Sequence, residues 1–82
     1  MASITMYGAD WCSDCRRSKS LLDTLGVDYE YVDVEENAEA AGRAQAISGR
    51  INIPVIAFAD GSFQVEPSDD ALRGKLEEVG AL

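Results

Sequence analysis

Histidine is absent from this chain of 82 residues. No Ser-His or Cys-His catalytic pair can therefore operate. Two cysteines and no imidazole also leave one chain short of the four ligands that a usual zinc site takes, so no resident metal is expected. Cations are scarce as well: 7 basic residues face 15 acidic ones, for a net charge of −8. That balance argues against nucleic acid and anionic membranes as partners, because both recruit Lys and Arg. No apolar run approaches the ~20 residues needed to cross a bilayer. The opening Met1-Ala2-Ser3-Ile4-Thr5 has no basic segment and no long apolar stretch, so no leader and a cytoplasmic location are expected. A chain of this length predicts one domain over 1–82, built around one modest core.

Proline is the next scarcity. There are only two, and each marks a boundary. Ile53-Pro54-Val55-Ile56-Ala57-Phe58 reads as an apolar strand that begins at its proline, where the missing N–H is tolerated. Pro67 precedes Ser68-Asp69-Asp70, which predicts a helix with Ser68 as N-cap and acids in the first turn. Between them Asp60-Gly61 signals a two-residue hairpin turn, with Ser62 to Val65 returning as a short strand.

Upstream, Ile4 to Tyr7 predicts a first strand. Cys12 to Leu25 carries a helical stripe of Cys15, Leu22 and Leu25 with Leu21 alongside, and Gly26 is its stop. Val27 to Val34 alternates and predicts a second strand. Asn37 caps a helix over 38–48 ending at Gly49, whose apolar residues Ala40, Ala41 and Ala44 are small apart from Ile47, so close packing is expected. The order is β-α-β-α-β-β-α. A parallel, right-handed β-α-β unit followed by an antiparallel hairpin predicts an α/β fold with a four-stranded mixed sheet.

The chemistry concentrates in Trp11-Cys12-Ser13-Asp14-Cys15. Cysteines two residues apart at a strand-to-helix junction can cycle between dithiol and disulfide. At the helix start, unpaired N–H groups and the positive end of the dipole stabilise a thiolate on Cys12. Cys15, nearly one turn further on the same side, lies within reach as the resolving thiol and is the more buried partner. Arg16 and Arg17 favour the thiolate, while Asp10 and Asp14 oppose it. By spacing alone, a buried structural dithiol and a metal held between two chains remain alternatives.

Tyr7-Gly8-Ala9-Asp10-Trp11-Cys12-Ser13-Asp14-Cys15, Ile53-Pro54, Phe58-Ala59-Asp60-Gly61-Ser62 and Pro67-Ser68 together resemble the glutaredoxin branch of the thioredoxin superfamily, nearest the mycoredoxins. The resemblance spans nearly the whole chain. It implies a thioredoxin-like fold with Cys12 and Cys15 catalytic. It implies a cis Ile53–Pro54 bond facing the cysteines, with the Ile53 backbone open to an extended substrate. It further implies thiol-binding roles for Asp60, Gly61 and Ser62, extending to Asp69 and Asp70. Trp11 is then a substrate-facing aromatic, and Ser13 and Asp14 complete the set.

Some positions depart from the pattern. Ser13-Asp14 stand where many members have Pro-Tyr, Asn52-Ile53-Pro54 where Thr-Val-Pro is common, and no lysine precedes Cys12. These differences widen the co-substrate from glutathione to mycothiol, or to direct reduction by a reductase. The expected activity is thiol–disulfide exchange on protein disulfides or mixed disulfides with a low-molecular-weight thiol. That thiol is a co-substrate; no cofactor is expected to be tightly bound, and a monomer is expected. Two rivals remain. One is a protein-specific electron carrier of the ribonucleotide-reductase redoxin type, although its Ser-Gly-Phe-Arg-Pro type segment is missing. The other is a dimeric iron–sulfur glutaredoxin.

Overall fold

Apolar residues on both sides of one strand dictate the layering. In β1 (Ile4–Gly8), Ile4 and Met6 point to one side and Tyr7 to the other, and all three are buried. A strand buried on both faces needs cover on both. The computed structural model, which describes residues 3–82, supplies it. After β1 come α1 (Ser13–Thr24), β2 (Glu30–Asp33), α2 (Ala38–Ser48), β3 (Val55–Phe58), β4 (Phe63–Val65) and α3 (Asp69–Glu78). This is the predicted order. Residues 1–2, on which part of the leader reading rests, lie outside the described residues. Among the described residues no helix is long and apolar enough to cross a membrane.

The sheet runs β2-β1-β3-β4. β1 and β2 are parallel, with Met6 opposite Tyr31. β3 is antiparallel to β1, with Ile4 opposite Phe58 and Tyr7 opposite Val55, and β4 is antiparallel to β3. Ile4, Met6, Ile56 and Phe58 face Cys15 and Leu22 of α1 and Leu72 and Leu76 of α3. Tyr7 and Val55 pack on the other side with Ala40 and Ala44 of α2. Leu22, Leu72 and Leu76 are fully buried, and truncating a residue of this kind to alanine costs about 2–5 kcal/mol.

Helix ends follow the local chemistry. Asn37 and Ser68 cap α2 and α3 by accepting from the Ala40 and Ala71 N–H groups at 3.2 and 3.1 Å. Past α1, Gly26 takes a left-handed φ of +70°. Its N–H donates to the Asp23 carbonyl and that of Val27 to the Leu22 carbonyl, which forms a Schellman closure. This shortens the predicted second strand. Val27 is buried but spends its N–H on the helix end, so β2 starts only at Glu30. β3 likewise starts one residue after Pro54, which is buried ahead of it. Ile47, the one large apolar residue of α2, is 36% exposed, and the buried residues of that helix are the alanines Ala40 and Ala44.

Among the glycines, the backbone is most closely approached at Gly8. A Cβ there would lie 3.0 Å from the Cys15 sulfur and 3.3 Å from its Cβ. At Gly42, mid-helix in α2, a Cβ would meet nothing within 4 Å. The same substitution therefore carries opposite signs. Gly8→Ala is expected to destabilise by about 1–3 kcal/mol through overpacking. Gly42→Ala is expected to stabilise by about 0.5–1 kcal/mol through helix propensity. Urea unfolding of the two variants tests both signs.

Candidate active site

β1 ends against the core at Gly8, and a tight turn follows in which the Cys12 N–H donates to the Ala9 carbonyl at 3.2 Å. Cys12 then occupies the N-cap of α1 with extended backbone. Its sulfur accepts the Cys15 N–H at 3.3 Å. That is the place a Ser or Asp oxygen usually takes, and the positive end of the helix lies behind it. A sulfur so placed is held as an acceptor, which is the character a thiolate has.

Cys15 has the opposite environment. It belongs to the buried stripe of α1 with Ser18 and Leu22 and is 1% exposed. Burial first, then the hydrogen bond with Cys12, push its pKa up from 9.0 to about 12. The charges of Cys12 and Asp14 add to the rise, and a backbone hydrogen bond at Ala9 opposes it. The two thiols are thus separated in kind: Cys12 is partly exposed and capped, while Cys15 is sealed and holds its proton.

Strand polarity decides what else gathers around them. β1 and β2 both end on the cysteine side, β3 begins there and β4 ends there. The Ile53–Pro54 bond is cis, as expected. Ile53 is half-buried and packs on the same cluster as Cys12 and Cys15. The Pro54 carbonyl accepts from the Glu66 N–H at 2.9 Å, whereas among the described residues the Ile53 backbone takes no backbone partner.

Arg17 ties the α3 start to α1. Its guanidinium pairs with Asp14 at 3.0 Å and Asp69 at 3.4 Å and donates to the Pro67 carbonyl at 3.2 Å. Arg17 is therefore committed to this bridge rather than to the thiolate. Trp11 is 64% exposed, and its indole N–H donates to the Glu35 carboxylate. Ser13 is exposed and Asp14 half-buried on the same turn.

The Asp60-Gly61-Ser62 turn is elsewhere. It follows Phe58, which pairs with Ile4 at the start of β1, so about 13 Å of extended chain separates Phe58 from Pro54, and the turn lies beyond it. The three residues close their own hairpin. The Ser62 N–H and hydroxyl both donate to Asp60, and Lys75 of α3 pairs with the same carboxylate at 3.7 Å. These hydrogen bonds, with Lys75 behind them, hold the Asp60 carboxyl below its ordinary pKa. A thiol-binding role beside the cysteines is incompatible with this placement, and the expectation is corrected. The segment that does reach the cysteine side is Glu66 to Asp70. Sequence reading placed only Asp69 and Asp70 there, as an extension of the Asp60 group. It missed Glu66, whose φ of +48° no side-chain pattern advertises, and it missed Arg17 as a bridge.

The Glutaredoxin family model matches residues 4–64. The chain belongs to the glutaredoxin family. Over 79 residues it is 35% identical to a glutaredoxin-type protein of Mycobacterium tuberculosis, covering 95% of this chain and 94% of that one. It is 30% identical over 80 residues to mycoredoxin 1 of Corynebacterium glutamicum, covering 96% and 99%. The crystal structure of a glutaredoxin from Archaeoglobus fulgidus superimposes with a TM-score of 0.80 at 28% identity, covering 90% of this chain and 85% of that one. As a glutaredoxin the chain is a thiol–disulfide oxidoreductase with a thioredoxin-like fold.

The buried thiol gives this glutaredoxin a pH signature. A folded-state pKa above the unfolded value means that the native state holds its proton longer. The stability this contributes is complete below pH 9.0 and is lost as pH rises towards about 12. Tyr29 and Tyr31 are also raised, chiefly by burial, and act with the same sign. Reduced protein is expected to lose unfolding free energy on passing above pH 9.0, and Cys15→Ala to lose less of it. Chemical denaturation of the two proteins across that window isolates the cysteine, and equal slopes refute the assignment.

Proposed function

We propose that this glutaredoxin reduces mixed disulfides and protein disulfides, with Cys12 as nucleophile and Cys15 as resolving thiol, using a low-molecular-weight thiol as co-substrate. The observation that carries the reading is the asymmetry of the pair: Cys12 caps the helix within reach of solvent, and Cys15 is 1% exposed behind it.

The Cys12 thiolate attacks one sulfur of the substrate disulfide. A new Cys12–substrate S–S bond forms as the old one breaks, and the second substrate sulfur leaves as a thiolate that takes a proton from solvent. Two outcomes then compete. Another small thiol can attack the mixed disulfide and regenerate Cys12. Alternatively Cys15 loses its proton and attacks the Cys12 sulfur, which releases reduced substrate and leaves a Cys12–Cys15 disulfide. The second route becomes easier after the first step, because a sulfur in a disulfide no longer carries the charge that raises the Cys15 pKa. Two electrons pass from protein to substrate, and two molecules of the small thiol restore them, leaving joined as their own disulfide.

The neighbours have fitting roles. Ile53 presents a free backbone edge to an extended substrate, with Pro54 behind it. Trp11 offers an aromatic wall, and Ser13 and Asp14 form the outer turn. The α3 start, with Asp69 and Asp70, suits a cationic or amine-bearing part of the co-substrate. The co-substrate is mycothiol or glutathione, and the likeness to a protein named mycoredoxin puts mycothiol first. A net charge of −8 disfavours nucleic acid as a partner; a cytoplasmic monomer is the working form proposed.

The test is mass spectrometry of Cys15→Ser after incubation with oxidised glutathione and, separately, oxidised mycothiol. One adduct on Cys12, formed with one thiol in preference and released by more of it, is expected. In turnover, Cys12→Ser is expected to abolish activity. Cys15→Ser is expected to keep most activity on small-thiol mixed disulfides and lose it on protein disulfides. No adduct with either thiol, with efficient reduction by a thioredoxin-type reductase, would move the protein to the electron-carrier class.

A further inference from the structure

Cys15 must lose its proton before it attacks, yet it is 1% exposed, so water does not reach the thiol directly. Tyr31 of β2 stands beside it. A Cβ built on Gly8 would lie 3.0 Å from the Cys15 sulfur and 3.4 Å from Cε1 of Tyr31, the ring carbon next to the one that bears the hydroxyl. Both side chains pack in the same core cluster. The Tyr31 hydroxyl in turn donates to the Asp10 carboxylate at 3.3 Å, in the exposed turn ahead of Cys12. Tyr31 thus runs from the neighbourhood of the buried sulfur to a carboxylate that meets water.

We propose that Tyr31 and Asp10 form the proton path of Cys15, with Asp10 as the base and the Tyr31 hydroxyl as the relay. The proposal rests on the Cys12–Cys15 exchange reading and adds two residues to its second step. The Cys15 S–H proton passes to the Tyr31 oxygen while the Tyr31 O–H proton passes to Asp10, so Tyr31 ends neutral, as it began. The Cys15 thiolate attacks the Cys12 sulfur and the Cys12–substrate bond breaks. The proton then leaves Asp10 for water or for the departing thiolate.

The groups around the ring select these roles. Burial first, then the charges of Asp10 and Asp33 and after them that of Cys15, push the Tyr31 phenol up to about 12. Burial pushes the Cys15 thiol up to about 12 as well. A proton passing between two groups of comparable affinity is trapped by neither. The other charges nearby are committed elsewhere or carry the wrong sign. Asp33 accepts the Glu35 and Glu36 N–H groups through one carboxylate oxygen at 2.8 and 3.4 Å. Asp14, which also acts on Cys15, is held by Arg17 at 3.0 Å. Lys19 of α1 lies 5.6 Å over the Tyr31 ring, and a cation does not serve as the base. Cys12 is in the mixed disulfide at this step and carries no charge. Asp10 is the carboxylate that the phenol touches.

The experiment follows single turnovers with a symmetric aromatic disulfide whose thiolate is coloured. Attack by Cys12 releases one equivalent of colour, and attack by Cys15 on the resulting adduct releases the second. The aromatic thiolate leaves without taking a proton near neutrality, so the second phase reads proton loss from Cys15. Cys15→Ser is expected to show the first phase alone. In the wild type the second rate is expected to stay level between about pH 6 and pH 8, because a carboxylate base is ionised throughout that range. Tyr31→Phe keeps the ring and removes the hydroxyl. It is expected to slow the second phase about 100-fold at pH 7, the lower end for general base catalysis. The rate that remains is expected to climb about tenfold per pH unit, as hydroxide replaces the lost base. Asp10→Asn is expected to do the same, and the double variant to be no slower than either single one, because both changes break one path. A ring that serves only as a wall leaves Tyr31→Phe at the wild-type rate, which overturns the proposal. So does an unchanged second phase in Asp10→Asn, or a wild-type second rate that itself climbs tenfold per pH unit. Absence of the first phase in the wild type would overturn the Cys12 chemistry beneath the proposal, a result distinguishable from a change confined to the second phase.

Discussion

The packing of Gly8 against Cys15 is the constraint on which the site depends. With hydrogen in place of a side chain at the end of β1, α1 settles close enough to bury the Cys15 sulfur against the sheet. Once Cys15 is fixed there, the helix start and the Cys12 sulfur are placed by geometry, because one turn separates the two residues. The Cys15 N–H then points at Cys12 and caps the helix with sulfur. One missing methyl group thus sets the burial of one thiol and the exposure of the other. A side chain at position 8 would loosen both together.

A second layer of organisation comes from strand direction. With β1 and β2 parallel and β3 reversed, the cysteine turn, the Ile53–Pro54 segment and the Glu66 corner share one end of the sheet. The hairpin turn shares the other, where Asp60, Ser62 and Lys75 knit the turn to the last helix. The molecule separates a reactive end from a structural end, and acidic residues occur at both. Asp14 and Asp69 are paired with Arg17, and Asp60 with Lys75. The high net negative charge is therefore partly built into local ion pairs. Ion pairs with solvent-exposed carboxylates add little stability, so their role is to hold geometry.

Much of the fold was legible because short-range signals agreed with long-range needs. Asn37, Ser68 and the Asp60-Gly61 turn announced their elements through local hydrogen bonding. Leu22, Leu72 and Leu76 announced the core by helical spacing. The misreadings share one cause. Val27 alternates with its neighbours like a strand residue, yet a helix-closing hydrogen bond claims it. Ala41 reads as part of the small apolar face of α2, yet only Ala40 and Ala44 of that helix are buried. Local pattern cannot report which of two partners captures a backbone group or how deep a helix sits.

By itself the sequence determined the element order, the caps, the pairing of two cysteines at a strand-to-helix junction and the exclusion of histidine chemistry. These follow from residue type and from spacing over a few positions, which physical chemistry converts directly into local structure. Only the tertiary structure decided which loops meet. It put Asp60, Gly61 and Ser62 away from the cysteines and brought Glu66, Asp69 and the Arg17 bridge to them. Those outcomes depend on strand direction and on contacts between residues tens of positions apart, for which a linear pattern carries no distance information.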